Sequence, residues 1–188
     1  MKRIGLIFST IAIALMTSCE GPAGPPGPPG FDGRDGLDGL DGVNILGTVL
    51  EIEGTFSAAN DYTLFYEFPN TVEVFESDVV LVYILWDQTD DGNGQPVDIW
   101  RLLPQTRILT QGLLQYNYDH TFFDVSVFLE SDFDLSTLQP GDTDNQVFRI
   151  AIIPAEYGQT SRMDVSNIES VMSALKVEEK NIHRITLD

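Results

Sequence analysis

Cysteine occurs once in this chain of 188 residues, histidine twice, and lysine plus arginine ten times against 29 acidic residues. With Cys19 alone, no intrachain disulfide can form, so a core or self-association must hold the fold. His120 follows Asp119 ahead of a strand-like stretch and reads as a turn residue, while His183 stands beside Arg184 and reads as half-exposed. Neither belongs to an HExxH pair, and no GxSxG elbow or phosphate-binding GxxxxGK[ST] loop occurs. Nothing in the sequence therefore argues for an enzyme. The shortage of basic residues is uneven. Residues 45–188 hold 24 acidic and seven basic residues, a net charge of −17. Such a surface repels nucleic acid and anionic headgroups and attracts divalent cations or basic partners.

Long apolar runs are also scarce. The main one, Ile4–Met16, is shorter than the roughly 20 residues that a transmembrane helix needs. Lys2 and Arg3 precede it and Leu15-Met16-Thr17-Ser18-Cys19 ends it, which is the layout of a lipoprotein signal peptide over residues 1–18. Cys19 is then the expected lipid-attachment residue, and an outer-membrane or cell-surface location in the envelope follows from it. Glu20 after the cysteine does not resemble the aspartate that retains lipoproteins at the inner membrane.

Glycine is concentrated where other residues thin out. From Gly21 the chain reads GPAGPPGPPGFDGRDGLDGLDGVN, with glycine at every third position through Gly42. That period, with prolines between, marks the collagen triple helix, whose axis admits only glycine. The stalk covers residues 19–44, and at about 3.1 Å per residue its triplet run, residues 21–44, would extend roughly 70 Å. Asp32, Asp35, Asp38 and Asp41 would repel one another across three chains in register. A homotrimer and a monomeric extended spacer both stand open.

Beyond the stalk, residues 45–188 are expected to form a mainly β, antiparallel two-layer sandwich with one short C-terminal helix. Residues 47–53 alternate, with Thr48, Leu50 and Ile52 on one side and Glu51 and Glu53 on the other. Residues 62–68 place Tyr62, Leu64, Tyr66 and Phe68 on one face, and the unbroken apolar run 78–86 suits a strand buried on both faces. Further strands are expected at 97–103, 106–110, 112–118, 121–129 and 146–153, separated by Gly, Pro, Asn and Asp turns. Val165, Ile168, Val171, Met172 and Leu175 carry helical spacing, with Ser166 and Glu169 placed as a capping box, and a terminal strand is expected at Ile182–Leu187.

One stretch carries metal-ligand chemistry. Asp87–Asp98, laid on a twelve-residue calcium loop, offers oxygens from Asp87, Thr89, Asp91, Gln95 and Asp98, with Gly92 at the sixth position. Aspartate instead of glutamate at the last position, and strands instead of helices at the flanks, depart from that pattern. The alternative is an acidic hairpin between two strands. Trp86, Trp100, Tyr116, Tyr118, Phe122 and Phe123 either line a groove for a protein or glycan ligand or fill the sandwich core.

LMTSC, the Gly-X-Y run and, more faintly, IWRLLPQT at Ile99–Thr106 make the chain resemble the small collagen-like lipoproteins of Bacteroidota. That resemblance implies attachment to the envelope and no defined activity. The expectation is a non-enzymatic, lipid-anchored protein that presents a β-sandwich interaction head. The alternatives are a structural envelope protein with a monomeric spacer and a glycan-processing hydrolase.

Overall fold

The computed structural model describes residues 47–160 and 163–187. Cys19, the signal segment and the Gly-X-Y run lie outside the described residues. The chain is mainly β. Nine strands, β1 Thr48–Gly54, β2 Thr63–Glu67, β3 Val79–Asp90, β4 Pro96–Leu102, β5 Gln105–Leu109, β6 Gly112–His120, β7 Asp124–Ser131, β8 Gln146–Ile153 and β9 Arg184–Thr186, form two sheets. Three α-helices are described as well: α1 Pro140–Thr143, α2 Ala155–Thr160 and α3 Ile168–Leu175. The larger sheet has the order β4-β3-β8-β1-β9 and the smaller β2-β7-β6-β5.

Alternation along the strands builds the core between the sheets. Ile52, Val80, Val82, Ile84, Phe148, Ile150 and Ile152 from the larger sheet meet Leu64, Tyr66, Leu114, Tyr116, Val125, Val127 and Leu129 from the smaller. Each such aliphatic side chain contributes about 1.5–3 kcal/mol through burial. The outer face of the larger sheet is covered too. Val49, Tyr83, Ala151 and Ile153 pack there against Ile168, Val171, Met172 and Leu175 of α3. That double cover explains why β3 reads as a continuous apolar run over Val79–Trp86 and why β8 is buried from Val147 to Ile153.

Three features depart from the expected antiparallel sandwich with one helix, the first being the two further short helices α1 and α2. Among the described residues, all strand pairs are antiparallel except β1 and β9, which pair in parallel with Glu51 opposite Arg184. The expected helix, α3, also forms a third layer over one sheet. The helix begins one residue later than expected, because Asp164 Oδ1 engages Ser166 through its N–H (3.0 Å) and hydroxyl (2.7 Å). Asn167 becomes the cap, its Oδ1 accepting from Ser170 N–H at 2.7 Å.

Strand register also sets which residues stand at which end. β1 starts at Thr48 opposite Ile152, which faces Val80 of β3, whereas Ile84 lies level with Phe148 and Ile52. β3 then runs on to Asp90, so the β3–β4 hairpin projects beyond the end of the sheet remote from Thr48. Beyond the level of Gly54 it gains about four residues, roughly 13 Å.

Candidate functional site

The expected calcium loop is the tip of that hairpin. Asp90 Oδ1 accepts from Gly92 N–H at 2.6 Å and Asp91 Oδ1 from Asn93 N–H at 2.7 Å and Gln95 N–H at 3.1 Å. Gly92 and Gly94 adopt positive φ, as the tight turn requires. These backbone bonds hold the exposed Asp91 carboxyl below the usual carboxylate range. A register shift between Leu85 and Asp87 places Gln88 opposite Asp98, and Gln88 Nε2 donates to Asp98 Oδ1 at 2.7 Å. Asp87 and Thr89, paired with Ile99 and Val97, therefore lie on the other face from Asp98. The five expected ligands, Asp87, Thr89, Asp91, Gln95 and Asp98, are not gathered around one point. Among the described residues, no group of three or more His, Cys, Asp and Glu side chains is gathered for a metal. An acidic hairpin describes this stretch.

The six aromatic residues are likewise dispersed. Tyr116 is buried between the sheets, its hydroxyl donating to the Asp142 carbonyl at 2.8 Å, and burial raises its pKa to about 12. Trp86 is half-buried against the core, edge-on to Tyr116, with the Arg101 and Arg107 guanidinium groups 4.4 and 4.8 Å from its ring centroid. Arg107 donates to Asp142 at 2.7 Å. Tyr118 is half-buried and stacks on the exposed His120, with centroids 6.3 Å apart. Phe122 and Phe123 are exposed in the β6–β7 turn. His183 is exposed ahead of β9, distant in the chain from His120.

A cleft of about 610 Å³ lies elsewhere among the described residues, on the outer face of the larger sheet between β4 and α3. Pro96, Asp98 and Trp100 form its β4 wall, and Glu169, Met172 and Ser173 its helix wall. Arg149 of β8 and Glu179 of a short 3-10 turn also line it. Arg149 is buried, and its charge is matched on either side. Its Nε donates to Glu51 Oε2 at 2.8 Å and its Nη2 to Glu179 Oε1. Its Nη1 faces the Met172 thioether at 3.8 Å, and its guanidinium carbon lies 4.1 Å from the Trp100 ring centroid. Glu51, also buried, uses its second oxygen to accept from Arg184 Nε at 2.6 Å, and Arg184 Nη1 reaches Glu53 at 3.2 Å.

Five residues thus form one chain of charge, Glu179–Arg149–Glu51–Arg184–Glu53, running across β8, β1 and β9. Its members were not marked as a site by the sequence. A signal existed: Arg149 interrupts an apolar strand buried on both faces, where an unpaired cation would be strongly disfavoured. Such a residue demands an acidic partner, and Glu51 and Glu53 are the charged members of β1. What the arrangement offers chemically is an apolar bed at Trp100 and Met172, rimmed by the Asp98, Glu169 and Glu179 carboxylates. Its one cation already carries two acidic partners.

Comparison with protein-family models, with curated proteins and with solved structures finds no match.

Proposed function

We propose that this chain is a lipid-anchored protein of the bacterial cell envelope, held at Cys19. Its Gly-X-Y segment spaces a β-sandwich binding head from the membrane. A diacylglycerol on the Cys19 thiol and an acyl group on its amine would supply more than the single chain that binds only marginally. The anchoring part rests on the LMTSC motif and the triplet run directly after it. The binding part is carried by the cleft between β4 and α3. Its 610 Å³ lies within the range of ligand sites, and apolar surface surrounded by polar groups is their usual lining. The charge network beneath holds Arg149 in one position. The proposed activity is binding without catalysis, and three heads on one stalk would multiply a weak affinity.

Cys19→Ala tests the anchor. The wild-type chain should incorporate radiolabelled palmitate and sediment with membranes, and the variant should do neither. Equal labelling of both would refute lipidation at Cys19.

A second reading, a glycan-processing hydrolase, draws support from one observation. Asp98 stands on one wall of the cleft and Glu169 on the facing one, as an acid and a base or nucleophile must flank a glycosidic bond. Under that reading the purified chain should release reducing ends from envelope polysaccharide, and Glu169→Gln should abolish the release. Without any release by the wild-type chain, the reading fails.

A further inference from the structure

We infer that the cleft beside β4 takes an extended, lysine- or arginine-bearing peptide segment of a partner protein, laid alongside the edge of the larger sheet. Three independent observations lead there. The first is charge. Asp98, Glu169 and Glu179 border the cleft against Arg149 alone, and two glutamates already engage that guanidinium. An anionic ligand would meet three carboxylates and no free cation lining the cleft, whereas a cationic one would meet complementary charge. The −17 net charge of residues 45–188 draws the same partner in from a distance.

The second observation is the bed. Trp100 and Met172 offer apolar surface between the carboxylates. Lysine and arginine are the side chains whose aliphatic stems cover such surface while their heads remain solvated or paired. The third is the backbone. β4 is the edge of its sheet, with β3 on one side and no strand on the other among the described residues. An edge strand turns alternate N–H and C=O groups away from its sheet, which is the template used when an extended peptide adds to it. Pro96 lacks an N–H and the Leu102 carbonyl already accepts from Gln105 Nε2 at 2.8 Å, so pairing would run along Val97–Arg101. The side chains of Asp98 and Trp100 would then alternate along the added strand, at the spacing of every second peptide residue.

This inference rests on the reading of the domain as a binding head and names the chemistry of what the head binds. The probe is a fluorescein-labelled decapeptide alternating lysine and valine, offered to the full chain in neutral detergent at near-physiological salt. There the screening length is about 8 Å, so distant charge contributes little. Anisotropy should report saturable binding of this probe, and none of its glutamate–valine counterpart. Asp98→Asn with Glu169→Gln should weaken binding by about tenfold or more, the scale expected for two lost charge partners. Glu73→Gln with Glu76→Gln, exposed carboxylates outside the cleft, should leave it within about twofold. A probe N-methylated at alternate residues should bind more weakly, because it cannot complete the added ladder. No saturable binding, equal loss in both double variants or undiminished binding of the N-methylated probe would each overturn the inference. Palmitate labelling of Cys19 is read separately, so an anchored chain that ignores the cationic probe refutes this inference and not the anchor.

Discussion

Replacing Glu51 by glutamine would leave Arg149 buried with Glu179 as its remaining charged partner, and Glu179 is largely exposed, at 65 % for its side chain. Breaking a buried pair from one side typically costs about 3–5 kcal/mol, because the surviving charge stays desolvated. The outer pairing with Glu179 is screened by water and should be worth about 1 kcal/mol or less. Urea unfolding should therefore separate the two, with Glu51→Gln far more damaging than Glu179→Gln. Equal losses would mean that Glu51 does not carry the burial of Arg149. Tyrosines give a pH test at the same scale. Burial raises Tyr83 and Tyr116, the latter to about 12. A raised folded-state pKa favours the protonated form in the fold. This contribution is complete below the unfolded value near 10 and disappears as pH rises through the folded value. Stability should thus fall between about pH 10 and 12, with phenolate absorbance at 295 nm appearing together with unfolding. Tyr116→Phe, which removes the bond to the Asp142 carbonyl, should flatten this alkaline decline and lower neutral-pH stability by about 1 kcal/mol.

At the scale of elements, α3 decides whether the larger sheet is buried on one face or two. Leu175 is almost wholly buried on the sheet and also covers Gly47, where an added Cβ would lie 2.2 Å from a Leu175 methyl carbon. Leu175→Ala should cost about 2–5 kcal/mol. Gly47→Ala should destabilise by overpacking, typically by about 1–3 kcal/mol. In the double variant the added methyl enters the space that Leu175 vacates, so the melting temperature should fall by less than the two single losses combined. Strictly additive losses would show that the contact is not shared.

Element positions were legible from local apolar patterning, alternating in some strands and unbroken in others. Residues 146–153 form β8 with the same bounds, and the expected strand 78–86 falls in β3 except for Asp78, which precedes it. The helix was legible from the spacing of Ile168, Val171, Met172 and Leu175, all buried. Long-range pairing was not. The Glu51 and Glu53 side of β1 turns toward Arg149 and Arg184, which are 98 and 133 residues from Glu51 along the chain. No local pattern reveals that a polar stripe lies beneath a helix. The calcium pattern failed for a similar reason, since strand alternation parts Asp87 and Thr89 from Asp98, whereas a loop would have curled them together. The cleft itself arises where α3 meets β4, between elements more than sixty residues apart in the chain.

For the whole molecule, copy number is the open quantity of the proposed stalk. Eight Gly-X-Y triplets carrying four aspartates need assistance to form a triple helix, from the head, from calcium or from crowding at the surface. Sedimentation equilibrium of the Cys19→Ala chain, with and without calcium, should give three times the monomer mass if the homotrimer holds. A single monomer mass under both conditions, at high concentration, supports the spacer. The −17 head makes any self-association sensitive to salt, so raising the ionic strength should favour the trimer.

The parallel pairing of β1 and β9 has a mechanical consequence. β1 leads away from Gly47, and β9 runs beside it in the same direction, so Leu187 lies toward the opposite end of the sheet from Thr48. A pull applied between Gly47 and Leu187 would slide the two strands along each other and load their hydrogen bonds together. A pull applied across the sheet would open them one by one. In single-molecule stretching, attachment at these ends should therefore give a higher rupture force than attachment at Gly47 and His183, the two starts of the pair, which would part the strands from one end.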